Sequence, residues 1–231
     1  MVNSRRPWNV AALVMWALVF SAESAAAGCD DDAAPAIDWK GCNKQMLQLE
    51  NRDLTGANLE GTFLSGTRFP GSRLSGANLQ RSELVRTSFE GADLTGANFE
   101  KALAHRANFK GVVLKQARLV KAEFLRVNFD GSDLSGADMT EGDFVRNSFR
   151  ETNLAGANLT GATLPRALFN GANLAGATLD RAYLYWTRFE GTDLAEVKGL
   201  TQAQVDIFCG DAGTRLPANL VVPSTWPCGE D

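Results

Sequence analysis

Residues 151–180 read ETNLAGANLTGATLPRALFNGANLAGATLD, and the period of this stretch decides the fold. Leu154, Leu159, Leu164, Phe169, Leu174 and Leu179 stand five residues apart, and a small residue lies two before each of them. Five fits neither the 3.6-residue turn of a helix nor the two-residue alternation of a strand. Outward from this stretch the register holds from Leu49 to Leu194, at thirty positions: eighteen Leu, ten Phe, Met139 and Ala104. Two residues before these centres, 25 side chains are Ala, Ser, Thr or Gly; two residues after, Gly occurs 15 times. The pattern predicts a chain that turns a corner every five residues, with the centre and the small residue pointing inward. Glycine after the centre suits a tight corner, where positive φ is sterically cheap for it.

The number of sides follows from a longer period. Every fourth centre gives Leu54, Leu74, Leu94, Leu114, Leu134, Leu154, Leu174 and Leu194, all leucine. Another file, Phe69 through Phe189 at steps of twenty, is all phenylalanine. Four pentads per coil would stack like on like, and rings nest well with rings. No pentad can bury its apolar residue alone, so stacked coils must share one core. Thirty pentads make about seven and a half coils, a rod of roughly 36 Å at the inter-strand spacing of ~4.8 Å. Ala104 is the one undersized centre, and Phe99 in the same coil is the only Phe of its own file. Large beside small conserves volume, which predicts no large cavity in that layer.

Runs such as Ala57-Asn58-Leu59, Ala92-Asp93-Leu94, Ala157-Asn158-Leu159 and Ala172-Asn173-Leu174 resemble the pentapeptide-repeat family. The resemblance covers residues 49–196 and implies an all-β fold, a right-handed quadrilateral β-helix. Departures are Leu47, Arg52 and Asn147 at small-residue positions, and Ala104. Some members of the family resemble duplex DNA in shape and charge, bind DNA gyrase and protect it from quinolones; that activity is the alternative the resemblance carries.

The flanks read differently. Arg5 and Arg6, the apolar run Val10 to Phe20 and Ala25-Ala26-Ala27 describe a signal peptide over residues 1–27, cleaved before Gly28. The expected location is therefore periplasmic or secreted, with lipoprotein anchoring at Cys29 as a minor alternative. The apolar run is shorter than the roughly 20 residues that span a bilayer. Residues 28–48 and 197–231 are read as caps over the exposed ends of the rod, which tilts the expectation toward a monomer. Thr201-Gln202-Ala203-Gln204 is a capping-box pattern for a short helix reaching Phe208. The four cysteines are even in number and suit two disulfides in an exported chain. Bonded cysteines need Cα atoms within about 7 Å, and only Cys29–Cys42 with Cys209–Cys228 avoids reaching across the rod.

The formal net charge of -4 and a single histidine exclude a globally basic nucleic-acid binder and leave little for acid–base or metal chemistry. No phosphate loop, dinucleotide fingerprint, nucleophile elbow or zincin helix is present, so no enzyme activity, cofactor or metal is expected. The informative feature is an outer wall. Arg86, Arg106, Arg126, Arg146 and Arg166 recur one coil apart, beside an apolar line of Val85, His105, Leu125, Val145, Pro165 and Tyr185. Glu83, Glu123 and Asp143 flank the ladder and are expected to neutralise it in part; His105 is expected to be solvated. On the next wall Glu90, Lys110, Asp130 and Arg150 alternate in sign, as self-pairing charges would. Arginine among apolar and aromatic neighbours suits a contact surface for a protein or an acidic polymer, the expected partner.

Overall fold

A computed structural model describes residues 28–229. The chain winds as a solenoid in which residue i pairs in parallel with residue i+20, with one bridge every five residues from Asp38↔Asn58 through Leu168↔Arg188 and a further one at Thr178↔Lys198. Four bridges per coil make a four-sided β-helix. The inner backbone bonds follow the same step, as in Leu54 N–H to Arg73 O at 2.7 Å and Leu94 N–H to Val113 O at 2.7 Å. Most corners are closed by a short-range bond such as Ala77 N–H to Leu74 O at 2.9 Å.

All thirty centres are buried, and with the small residues two before them they form one continuous core. The phenylalanine file stacks along the axis: Phe129–Phe149 centroids lie 5.0 Å apart at 3°, and Phe149–Phe169 4.8 Å apart at 13°. Phe99 meets Phe109 and Phe124 edge-on at 5.8 Å each, so its ring reaches across the layer where Ala104 is short. Small hydroxyl residues do a second task. Thr87, Thr152 and Thr192 donate to the carbonyls of Leu64, Phe129 and Phe169 at 2.8–2.9 Å, tying coils together inside a dry wall.

Two of the departures explain themselves. Arg52 is exposed and Leu47 only half-buried, and their amides are taken up by the Ser72 and Thr67 hydroxyls of the next coil at 3.0 and 3.2 Å. Asn147 stays inside: its Oδ1 accepts from Val127 N–H at 2.7 Å, while its Nδ2 is buried without a partner.

The solenoid extends beyond both expected limits. Bridging begins at Asp38, within the stretch read as an N-terminal cap, because Ile37, Trp39 and Cys42 supply buried inward side chains ahead of the clear repeat. At the other end, Cys209 and Arg215 still bridge to Arg188 and Asp193. Helix α1 spans Gln202–Val205, with Thr201 and Gln204 forming the capping box, and stops before Phe208. Phe208 instead leaves the helix to stack edge-on over Phe189 at 4.8 Å, where core burial outweighs another turn. Buried Gln204 donates to the carbonyls of Leu179 and Ala182, both at 2.9 Å. The pairs Cys29–Cys42 and Cys209–Cys228 are bonded, each with Cα atoms 5.5 Å apart. Among the described residues no helix is long and apolar enough to cross a membrane. The signal-peptide reading of residues 1–27 lies outside the described residues.

Candidate functional site: a cationic corner

The third wall is built on the centres Leu84, Ala104, Phe124, Phe144, Leu164 and Leu184, all buried. Its outward residues include Phe63, Glu83, Leu103, Glu123, Asp143, Thr163 and Tyr183, and the corner that follows carries the arginine ladder. Arg86, Arg106, Arg126, Arg146 and Arg166 all hold φ between 56 and 57°. Left-handed backbone was expected of glycine; here the stacking of coils imposes it on every residue type at the corner, including Lys101, Gln116 and Glu151. Corner amides are locked to the next coil, for example Arg106 N–H to Leu125 O at 2.9 Å and Arg146 N–H to Pro165 O at 3.0 Å. The guanidinium groups are thus mounted on a rigid lattice, one per coil, at intervals of ~4.8 Å.

The neighbouring corner is also basic but neutralised. Arg81 meets Glu60 at 3.5 Å, Lys101 meets Glu100 at 3.8 Å, Lys121 meets Glu141 at 3.3 Å and Arg181 meets Asp180 at 3.0 Å. Arg86, Arg106, Arg126 and Arg146 are exposed and make no ion pair or side-chain hydrogen bond among the described residues. The flanking acids form no ion pair with these four arginines. Glu83 instead accepts from the Ser65 hydroxyl at 2.9 Å and Asp143 from Val145 N–H at 3.2 Å, because these oxygens lie within reach of their own wall rather than the corner. The alternating wall does not pair by charge either. Glu90 accepts from Asn108 Nδ2 at 3.1 Å and Asp130 from Arg150 N–H at 3.0 Å, so local amides and hydroxyls claim the carboxylates first.

The apolar line beside the ladder is less open than expected. Val85, His105, Leu125, Val145 and Pro165 are half-buried against the coils above and below, and only Tyr185, at 45%, is exposed. His105 is less solvated than expected: its Nε2 is buried and lacks a hydrogen-bond partner among the described residues. At the N-terminal end of the ladder an open groove of about 410 Å³ is lined by Met46, Gly66, Val85, Arg86, His105 and Arg106 among others. At the opposite end stands an aromatic cluster of which the sequence pattern had marked only Tyr185. Trp186 is the rung one coil beyond Arg166, and the rings of Tyr183 and Tyr185 stack at 6.3 Å and 7°, with Trp186 against Tyr185 at 6.4 Å and 60°. The step of twenty was the signal that could have found it. Among the described residues no group of three or more His, Cys, Asp or Glu could hold a metal ion.

Comparison with known proteins agrees with this architecture. A model of the pentapeptide repeat region matches residues 82–159, and a model of pentapeptide repeats in eight copies matches residues 48–84 and 166–195. The chain belongs to the pentapeptide-repeat family. Among solved structures, HetL of the cyanobacterium Nostoc, a pentapeptide-repeat protein involved in heterocyst differentiation regulation, is 21% identical. That match covers 78% of this chain and 91% of HetL, with a TM-score of 0.50. QnrB1, a plasmid-mediated fluoroquinolone resistance protein, is 22% identical over 81% of this chain and 93% of its own, with a TM-score of 0.39. A pentapeptide-repeat protein of the Arabidopsis thaliana thylakoid lumen is 31% identical over 49% of this chain and 69% of its own, with a TM-score of 0.22. No curated protein is recognisably similar to the chain. At 21% identity the likeness to HetL speaks for the fold alone.

Proposed function

We propose that this protein is a non-catalytic binding scaffold, an exported right-handed β-helix that meets its partner, a protein or an acidic polymer, through the arginine corner of its third wall. One observation carries this reading: four exposed arginines in single file make no ion pair among the described residues, while basic residues of the adjacent corner are paired. Surface pairs contribute little to stability, so the difference is one of available charge rather than of folding. Export is supported by the two disulfides, which persist in oxidising compartments. The caps and their disulfides favour a monomer.

The test is site-specific photo-crosslinking in native extract, with the label at Arg126 or, on a different corner, at Gly96. Adducts that form at position 126, fail at 96 and vanish when Arg106 and Arg146 are both replaced by Glu support the reading. Adducts unchanged in that double variant overturn the assigned surface. The gyrase alternative receives no support from the charge of this corner, which is opposite in sign to duplex DNA. An altered supercoiling rate in the presence of purified protein would restore it.

A further inference from the structure

Taking the arginine corner as the contact surface, we propose that it binds a linear acidic polysaccharide lying parallel to the rod axis, with its acid groups on the arginines and a sugar ring against Tyr185 and Trp186. Three features select this class. The cations form one straight file at ~4.8 Å, so the ligand must present anions along a line rather than a patch. That interval is of the order of one pyranose unit, and arginine forks match carboxylate and sulfate oxygens.

The aromatic end of the file supplies the second feature. Tyr183 and Tyr185 are 51% and 45% exposed and stacked on each other, and the half-buried Trp186 lies at a steep angle to Tyr185. An exposed aromatic face with a polar rim suits the mixed CH and hydroxyl surface of a sugar ring, apolar on its face and wet at its edge. Because Trp186 takes the same corner position as the arginines, at φ 55°, a chain following the cations arrives at this platform.

The third feature removes competing polymers. A peptide strand adds to a sheet through free backbone groups, but the ladder amides are all engaged, Arg86 N–H with His105 O at 2.9 Å and Arg126 N–H with Val145 O at 3.0 Å. Single-stranded nucleic acid is held by aromatics interleaved with cations, one base per ring. Here the rings are gathered at one end.

The test is calorimetric titration of the full chain with polygalacturonate fragments and with dextran sulfate, beside poly-L-glutamate, oligo(dT) and neutral dextran. Binding to the acidic polysaccharides is expected to weaken roughly fiftyfold between about 50 and 200 mM salt, the slope for four cations on a single-stranded polyanion. Polygalacturonate alone, or dextran sulfate alone, identifies the acid group as carboxylate or sulfate. Replacing Arg106, Arg126 and Arg146 by Gln, or by Glu, is expected to weaken binding at least tenfold. Trp186→Ala should weaken the polysaccharides and leave residual poly-L-glutamate binding unchanged. Poly-L-glutamate or oligo(dT) binding as tightly as both polysaccharides, or an unaffected Trp186→Ala variant, overturns the polysaccharide inference and leaves the corner as a contact surface. Polysaccharide binding indifferent to the arginines overturns this inference and the contact-surface reading together.

Discussion

Replacing Arg106, Arg126 and Arg146 together by glycine should make the protein more stable while removing its capacity to hold anions. Each of these residues sits at φ 56°. An L-residue held left-handed costs roughly 1–2 kcal/mol. Glycine relieves that strain, but its freer unfolded chain subtracts roughly 0.5–1 kcal/mol. The balance favours glycine by about 0.5–1 kcal/mol per site, or ~2 kcal/mol for the three. For a chain of this size that corresponds to a rise in Tm of about 4–8 °C. Relief of repulsion between adjacent guanidinium groups adds to the gain at low ionic strength and fades as salt screens it. Thermal unfolding followed by circular dichroism at two salt concentrations measures both parts. A Tm that falls in the triple glycine variant refutes the reasoning, because it means the arginine stems hold the coils together and the ladder is structural.

Three further outcomes follow from the core, the caps and the surface. Phe129→Ala removes a ring stacked on Phe149 at 5.0 Å and tilted against Phe109 at 5.1 Å; a loss of about 3–5 kcal/mol is expected in denaturant unfolding, and a loss below 1 kcal/mol would show that the file tolerates vacancies. Cys209→Ser with Cys228→Ser opens a 19-residue link and should destabilise the C-terminal cap by about 3 kcal/mol, seen as proteolysis confined to residues after 200 with the central coils intact; uniform digestion would contradict it. Asp53 has its pKa lowered to about 2 by the Arg73 guanidinium and then by the Thr55 hydroxyl and amide. A depressed carboxylate contributes stability that is present above its unfolded pKa and lost as pH falls through the folded one, so this contribution disappears between about pH 4 and pH 2. In Arg73→Ala the Asp53 carboxyl should titrate nearer the usual range by NMR; an unmoved titration would assign the shift to Thr55.

Much of the architecture was legible because each side chain's inward or outward sense repeats with the coil. Leucine and phenylalanine files stated the number of sides, and the spacing of the cysteines along a rod stated which could meet. The start of winding at Asp38 was harder to read, since Trp39 and Cys42 fill core positions with residues that do not look like the repeat. Corner conformation was hidden for the opposite reason: Arg86 and Glu151 adopt left-handed backbone that no local preference favours, because bonds to the neighbouring coils outweigh it. The arginine file was visible from its spacing, but the absence of ion pairs at Arg86, Arg106, Arg126 and Arg146 among the described residues was not. Whether Glu83 turns to Ser65 or to an arginine depends on side-chain reach, which periodicity does not encode. Trp186 was missed because composition separates it from the arginines whose position it shares.

The pairing of each residue with the one twenty places along has a consequence for how such a chain can change. Excising one whole coil shortens the file of cations by a single rung and leaves every other rung aligned. Excising five residues turns everything downstream by a quarter revolution and splits the file between two corners; excising ten carries its remainder to the far side. Gene segments encoding twenty residues are therefore the unit by which the reach of this ruler can be lengthened or trimmed without erasing its markings.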